Sequence, residues 1–113
     1  MKTEHVNVLP ENEYLVDRFI REIYGSPSLW SGGEGLIIKG YPGLKIESRK
    51  EFMKESYKIK IIFGNIDDRV KEKLIYFATT KNLPLSEELS NIEKIAREIK
   101  NSPLFKLSMG VFA

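Results

Sequence analysis

The chain contains no cysteine, a single histidine and a single tryptophan, and it has no long hydrophobic run. Without cysteine there is no disulfide, thiolate nucleophile or cysteine-based zinc site, and the composition fits a cytoplasmic protein. With His5 alone, neither a His-rich metal site nor a two-histidine nuclease motif can be assembled. A Ser-His-Asp triad would have to use His5, and no G-x-S-x-G elbow accompanies it. No apolar stretch approaches the roughly 20 residues that span a bilayer. The opening "MKTEHVNVLPENEY" is too polar and acidic for a secretory signal.

What is present is the composition of one small globular domain: 113 residues, 42% hydrophobic and 30% charged. The bias toward Lys, Ile and Glu, together with the missing cysteine, suits a thermophile. The net charge of +2 is too small to point to nucleic acid by itself.

Hydrophobic spacing divides the chain into elements. "EHVNVL" (4–9) alternates as a short strand closed by Pro10. From Glu11 to Tyr24, Leu15, Phe19 and Ile23 recur every fourth position beside Val16 and Ile20, which predicts an amphipathic helix with Gly25 as its C-terminal cap. "YGSPSLWSGGEGL" (24–36) then reads as a flexible glycine-rich connection into a second strand. "GLIIKGYPGLKIE" (35–47) is extended and broken at Tyr41-Pro42-Gly43, either as a hairpin turn or as a kink within one strand. "SRKEFMKES" (48–56) is charged and compatible with a short helical turn.

"YKIKIIF" (57–63) is the clearest strand, with Tyr57, Ile59, Ile61 and Phe63 on one face and Lys58, Lys60 and Ile62 on the other. Asn65 is expected to cap a helix carrying Asp67 and Asp68 in its first turn and Val70, Leu74 and Phe77 on its stripe. A further helix runs to about Asn101, starting near Leu85 or, by the Ser90/Glu93 capping-box pattern, later. After Pro103, "LFKLSMGVFA" (104–113) alternates as a terminal strand.

These elements predict an α+β fold: a two-layer sandwich of mostly antiparallel sheet with helices on one face. The order is similar to the ferredoxin-like βαββαβ plan with an extra helix. Family signatures within that plan are missing. "ESYKIKIIFG" lacks the glycine and central aromatics of the RNA-recognition run, and "VLPENEYL" lacks the glycine-rich anion loop with arginine found in acylphosphatases.

The glycines of 24–36 do not form a phosphate cradle. No Lys-Ser/Thr pair follows them, they run from helix to strand, and Gly33-Glu34-Gly35 is not continued as a dinucleotide fingerprint. Asp67-Asp68 could hold a divalent cation, but pairing with a helix N-terminus accounts for their position. No catalytic residue, metal site or cofactor is therefore assigned.

Charge is unevenly spread. Residues 1–38 carry a net −3, whereas 39–60 carry a net +4. Lys39, Lys45, Arg49, Lys50, Lys54, Lys58 and Lys60, with Tyr57 among them, form the candidate nucleic-acid surface, because cations attract phosphate and aromatic rings stack bases. The competing expectation is a protein partner or a homodimer, using the Trp30 loop and the terminal strand, with Trp30 and Tyr41 as the contacting residues.

Overall fold

The computed structural model describes residues 4–51 and 57–108. Strand β1 (Glu4–Val8) leads through a 3-10 turn at Pro10–Asn12 into helix α1 (Glu13–Tyr24). Four strands follow: β2 (Ser28–Gly33), β3 (Leu36–Tyr41), β4 (Leu44–Lys50) and β5 (Tyr57–Phe63). Helices α2 (Asp68–Thr79), α3 (Leu85–Lys100) and α4 (Pro103–Ser108) end the described chain. The strands form one antiparallel sheet in the order β1-β5-β4-β3-β2, and the helices pack on it as a second layer.

The fold class is the expected α+β sandwich. Its element order carries two more strands between α1 and α2 than the βαββαβ plan and closes on helices.

The helical stripes do what their spacing requires. Leu15, Val16, Phe19, Ile20 and Ile23 of α1 are all buried, as are Val70, Leu74 and Phe77 of α2 and Ile92, Ala96 and Ile99 of α3. Helix α1 packs against both α2 and α3, and the Phe19 and Phe77 rings meet at 5.3 Å between centroids. Each such side chain contributes roughly 1.5–3 kcal/mol by leaving water. Gly25 caps α1 as expected, its N–H donating to the Arg21 carbonyl. The cap of α2 is Asp67, not Asn65: its carboxylate accepts from the Arg69 backbone N–H at 2.9 Å. Helix α3 begins at Leu85, the earlier of the two starts.

Three segments, 28–33, 48–50 and 103–108, differ from their sequence reading, and a fourth, left open there, is decided. Residues 28–33 are strand β2, paired to β3 through the two-residue turn Glu34-Gly35. Serine, glycine and one tryptophan mask its period, since an edge strand with no buried face needs no alternation. Tyr41-Pro42-Gly43 is a hairpin turn: Tyr41 pairs with Leu44, and Gly43 adopts φ +89°, the positive angle a Pro-Gly turn demands.

The predicted terminal strand is instead helical over Pro103–Ser108, and 109–113 lie outside the described residues. Pro103 stands at the first helical position, where its missing N–H costs nothing, and Phe105 is buried beside the Tyr24 ring at 5.9 Å. Residues 48–50 are the end of β4 rather than a helical turn, and 52–56 lie outside the described residues.

Register separates the two faces of the sheet. Val8, Ile59, Ile61, Phe63, Leu44, Ile46 and Tyr41 point to one side and are buried under the helices. The alternate residues His5, Asn7, Lys58, Lys60, Ile62, Lys45, Glu47, Arg49, Ile38 and Trp30 point to the other, and among the described residues no helix covers them. This is the half-polar open face that an antiparallel sheet permits.

Candidate functional site

The open face is organised in rows across the strands. One row runs His5, Ile62, Lys45, Gly40 and Ser28; the next runs Asn7, Lys60, Glu47, Ile38 and Trp30; a third brings Lys58 opposite Arg49. Among the described residues the face thus carries Lys45, Arg49, Lys58 and Lys60, with the carboxylates of Glu47 and Glu51 beside them. Arg49 and Lys58 are like charges in direct cross-strand register, an arrangement that costs stability, by roughly 0.2–1 kcal/mol, unless something else uses the charge. Lys58 leans to Glu51 at 3.1 Å and Arg49 to Glu47 at 3.9 Å. Among the described residues neither Lys45 nor Lys60 takes part in an ion pair.

Trp30 lies across this face from the edge strand. A β-carbon built on Gly40 would fall 2.3 Å from its Cζ3 and 2.5 Å from its Cη2, so the six-membered ring occupies the space a side chain at 40 would fill. Trp30 is nonetheless 54% exposed. Beside it, an open groove of about 1000 Å³ is bordered by Trp30, Gly40, Lys45, Ile62, Gly64 and Asn65. The end of the groove is fixed by a close approach of two turns: the Gly64 N–H donates to the Gly43 carbonyl at 2.7 Å, and side chains at either position would strike backbone.

The remaining candidates lie elsewhere. Lys39 is on the helix-covered side, 3.4 Å from Asp17 of α1. Tyr41 is also on that side and only 8% exposed, not beside Trp30 on the open face. Burial first, then Asp17, pushes the Tyr41 phenol up to about 12, and its hydroxyl has no hydrogen-bond partner among the described residues. Lys50 and Tyr57 pair with each other at the far end of the sheet, on the same side as Tyr41, and both are exposed. Lys54 lies outside the described residues.

The sequence reading assigns none of Gly40, Ile38, Ile62 and Asn65 to a binding site. A signal existed for Gly40, because an isolated glycine inside a strand marks close approach of another group.

His5 is exposed on the open face opposite Ile62. Asp67 is committed to the α2 cap and to Arg69 at 3.2 Å. Among the described residues no three His, Asp or Glu side chains gather as metal ligands, and no helix is long and apolar enough to cross a membrane.

What the arrangement can do is bind: a flat, basic surface with one exposed aromatic ring attracts polyanions and stacks planar groups. Comparison with protein-family models, with curated proteins and with solved structures gives no match for the chain.

Proposed function

We propose that this protein is a non-enzymatic binding module that takes nucleic acid on the open face of its sheet. One observation carries the reading: strand register gathers Lys45, Arg49, Lys58 and Lys60 on the sheet face that, among the described residues, no helix covers. Phosphate neutralisation by these side chains makes affinity fall with salt, with a slope of about −0.7 per contact on a single strand.

The test is the affinity of a labelled oligonucleotide measured across a salt series. Lys60→Ala is expected to weaken binding and to reduce the slope by about 0.7. Absence of binding at low ionic strength would remove the proposal.

A second reading is favoured by strand β2. This edge strand carries no charged residue, is exposed along its whole length, and has Leu29 at 65% exposure beside Trp30. Uncharged edges of this kind pair with other strands, in a protein partner or a second copy. Light scattering across a concentration series tests it; a monomer at every concentration and no retained partner would count against it.

A further inference from the structure

We infer that the groove beside Trp30 holds one unstacked base of a single strand, so that the module selects single-stranded over duplex nucleic acid. The inference rests on the nucleic-acid reading above and assigns a distinct task to part of that face. Phosphate attraction alone does not require an aromatic ring, because it acts on the backbone and does not read the bases.

Trp30 is suited to more than surface cover. Its six-membered ring occupies the space left by Gly40, on the open face of the sheet. An exposed ring at that place presents a face on which a base can stack. At the same time Trp30 keeps about half of its surface in solvent, which a residue that only plugged the sheet edge would not.

The groove supplies the other contacts a nucleotide needs. Lys45 pairs with Gly40 across β3 and β4, which puts a cation without an ion-pair partner among the described residues beside the ring. Ile62 pairs with Lys45 and gives the groove an apolar wall. Asn65, exposed at the groove's end, has a side-chain amide that makes no hydrogen bond among the described residues and offers both a donor and an acceptor to a base edge. At about 1000 Å³ the groove is at the upper end of the roughly 300–1000 Å³ typical of small-ligand sites. A base inside a duplex is stacked on its neighbours and cannot offer its face to an indole, whereas an unpaired base can.

Because Trp30 is the only tryptophan, its emission reports the groove directly. The experiment titrates the full chain at low ionic strength with a single-stranded RNA ten-mer, and separately with its duplex. Both Trp30 emission and the anisotropy of the labelled strand are followed.

The single strand is expected to quench Trp30 and the duplex to leave it unchanged. Trp30→Ala should lose about 5- to 150-fold in affinity for the single strand, the range that loss of one stacked base implies. Trp30→Phe should keep most of the affinity, and Gly40→Val, which takes the ring's place, should behave as Trp30→Ala does while circular dichroism stays native. Single-strand binding that neither quenches Trp30 nor weakens in Trp30→Ala would overturn the groove and leave the charge reading standing. Equal quenching by the duplex would also overturn it. Failure of both nucleic acids to bind would remove the two readings together.

Discussion

The indole of Trp30 and the missing side chain of Gly40 form one unit: the ring on the edge strand lies in the space that the glycine leaves on the next strand. Gly40→Ala must therefore move the ring, but the atoms in its way are the far end of a side chain, free to swing into solvent. Stability is expected to stay within about 1 kcal/mol of the parent, because removing glycine from a strand recovers about 0.5–1 kcal/mol of backbone entropy. Emission of Trp30 should shift to the red as the ring leaves the sheet. Urea unfolding and a fluorescence spectrum check both.

Gly43→Ala is the contrasting case. Here the β-carbon would lie 2.6 Å from the Asn65 carbonyl oxygen, and the residue holds φ +89°. Backbone cannot swing aside, and a non-glycine residue at positive φ costs about 1–3 kcal/mol on its own. The unfolding midpoint should fall well below that of Gly40→Ala; equal midpoints would show that the 43/64 contact is not needed.

Much of this was legible in the sequence. The faces of β5 follow from the alternation of "YKIKIIF", and with them the positions of Lys58 and Lys60. The helical stripes followed from their 3.6-residue period in the same way. What could not be read was pairing. Lys39 and Lys45 lie in one basic stretch, but register sends Lys39 to Asp17 under the helices and Lys45 to the open side. Nor does β2 announce itself, because a strand exposed on both faces has no apolar rhythm. The terminal segment misled for the opposite reason: Leu104, Phe105 and Leu107 fit two periods, and only burial of Phe105 against Tyr24 selects the helix.

Arg49→Glu exchanges a like-charge cross-strand pair with Lys58 for an attractive one. The change also gives up the Arg49–Glu47 contact, so stability should stay within about 1 kcal/mol of the parent, while affinity for nucleic acid falls. Weakened binding with an unchanged thermal midpoint would mark Arg49 as a binding residue; unchanged binding would remove it from the surface.

Asp67→Ala removes the α2 cap and is expected to cost about 0.5–2 kcal/mol at neutral pH. Burial raises the Asp67 pKa, but side-chain and backbone hydrogen bonds from Arg69 outweigh it and hold the carboxyl below its ordinary value. A depressed carboxylate contributes its stability in full above the unfolded pKa and loses it as pH falls through the folded one. The gap between parent and variant should thus be constant from neutral pH down to about pH 5 and narrow in more acidic urea titrations.

Tyr41→Phe deletes a buried hydroxyl that has no hydrogen-bond partner among the described residues. It should leave stability unchanged or raise it by about 1 kcal/mol. Tyr24 and Tyr41 are both held up at about 12, in each case mainly by burial. Since their folded pKa values exceed the unfolded value, stability should decline as pH rises from about 10 through 12. Ultraviolet titration should show these two phenols ionising last.

The central claim is that nucleic acid lies on the open face of the sheet. It is tested most directly by adding a short single-stranded oligonucleotide to isotope-labelled protein and following side-chain resonances by NMR. The account predicts that the Trp30 indole N–H, the Ile38 and Ile62 methyls and the Lys45 and Lys60 ammonium-adjacent carbons shift together and saturate, while side chains of α2 and α3 stay still. Shifts confined to the helical layer, or no shifts at millimolar oligonucleotide and low salt, would contradict it.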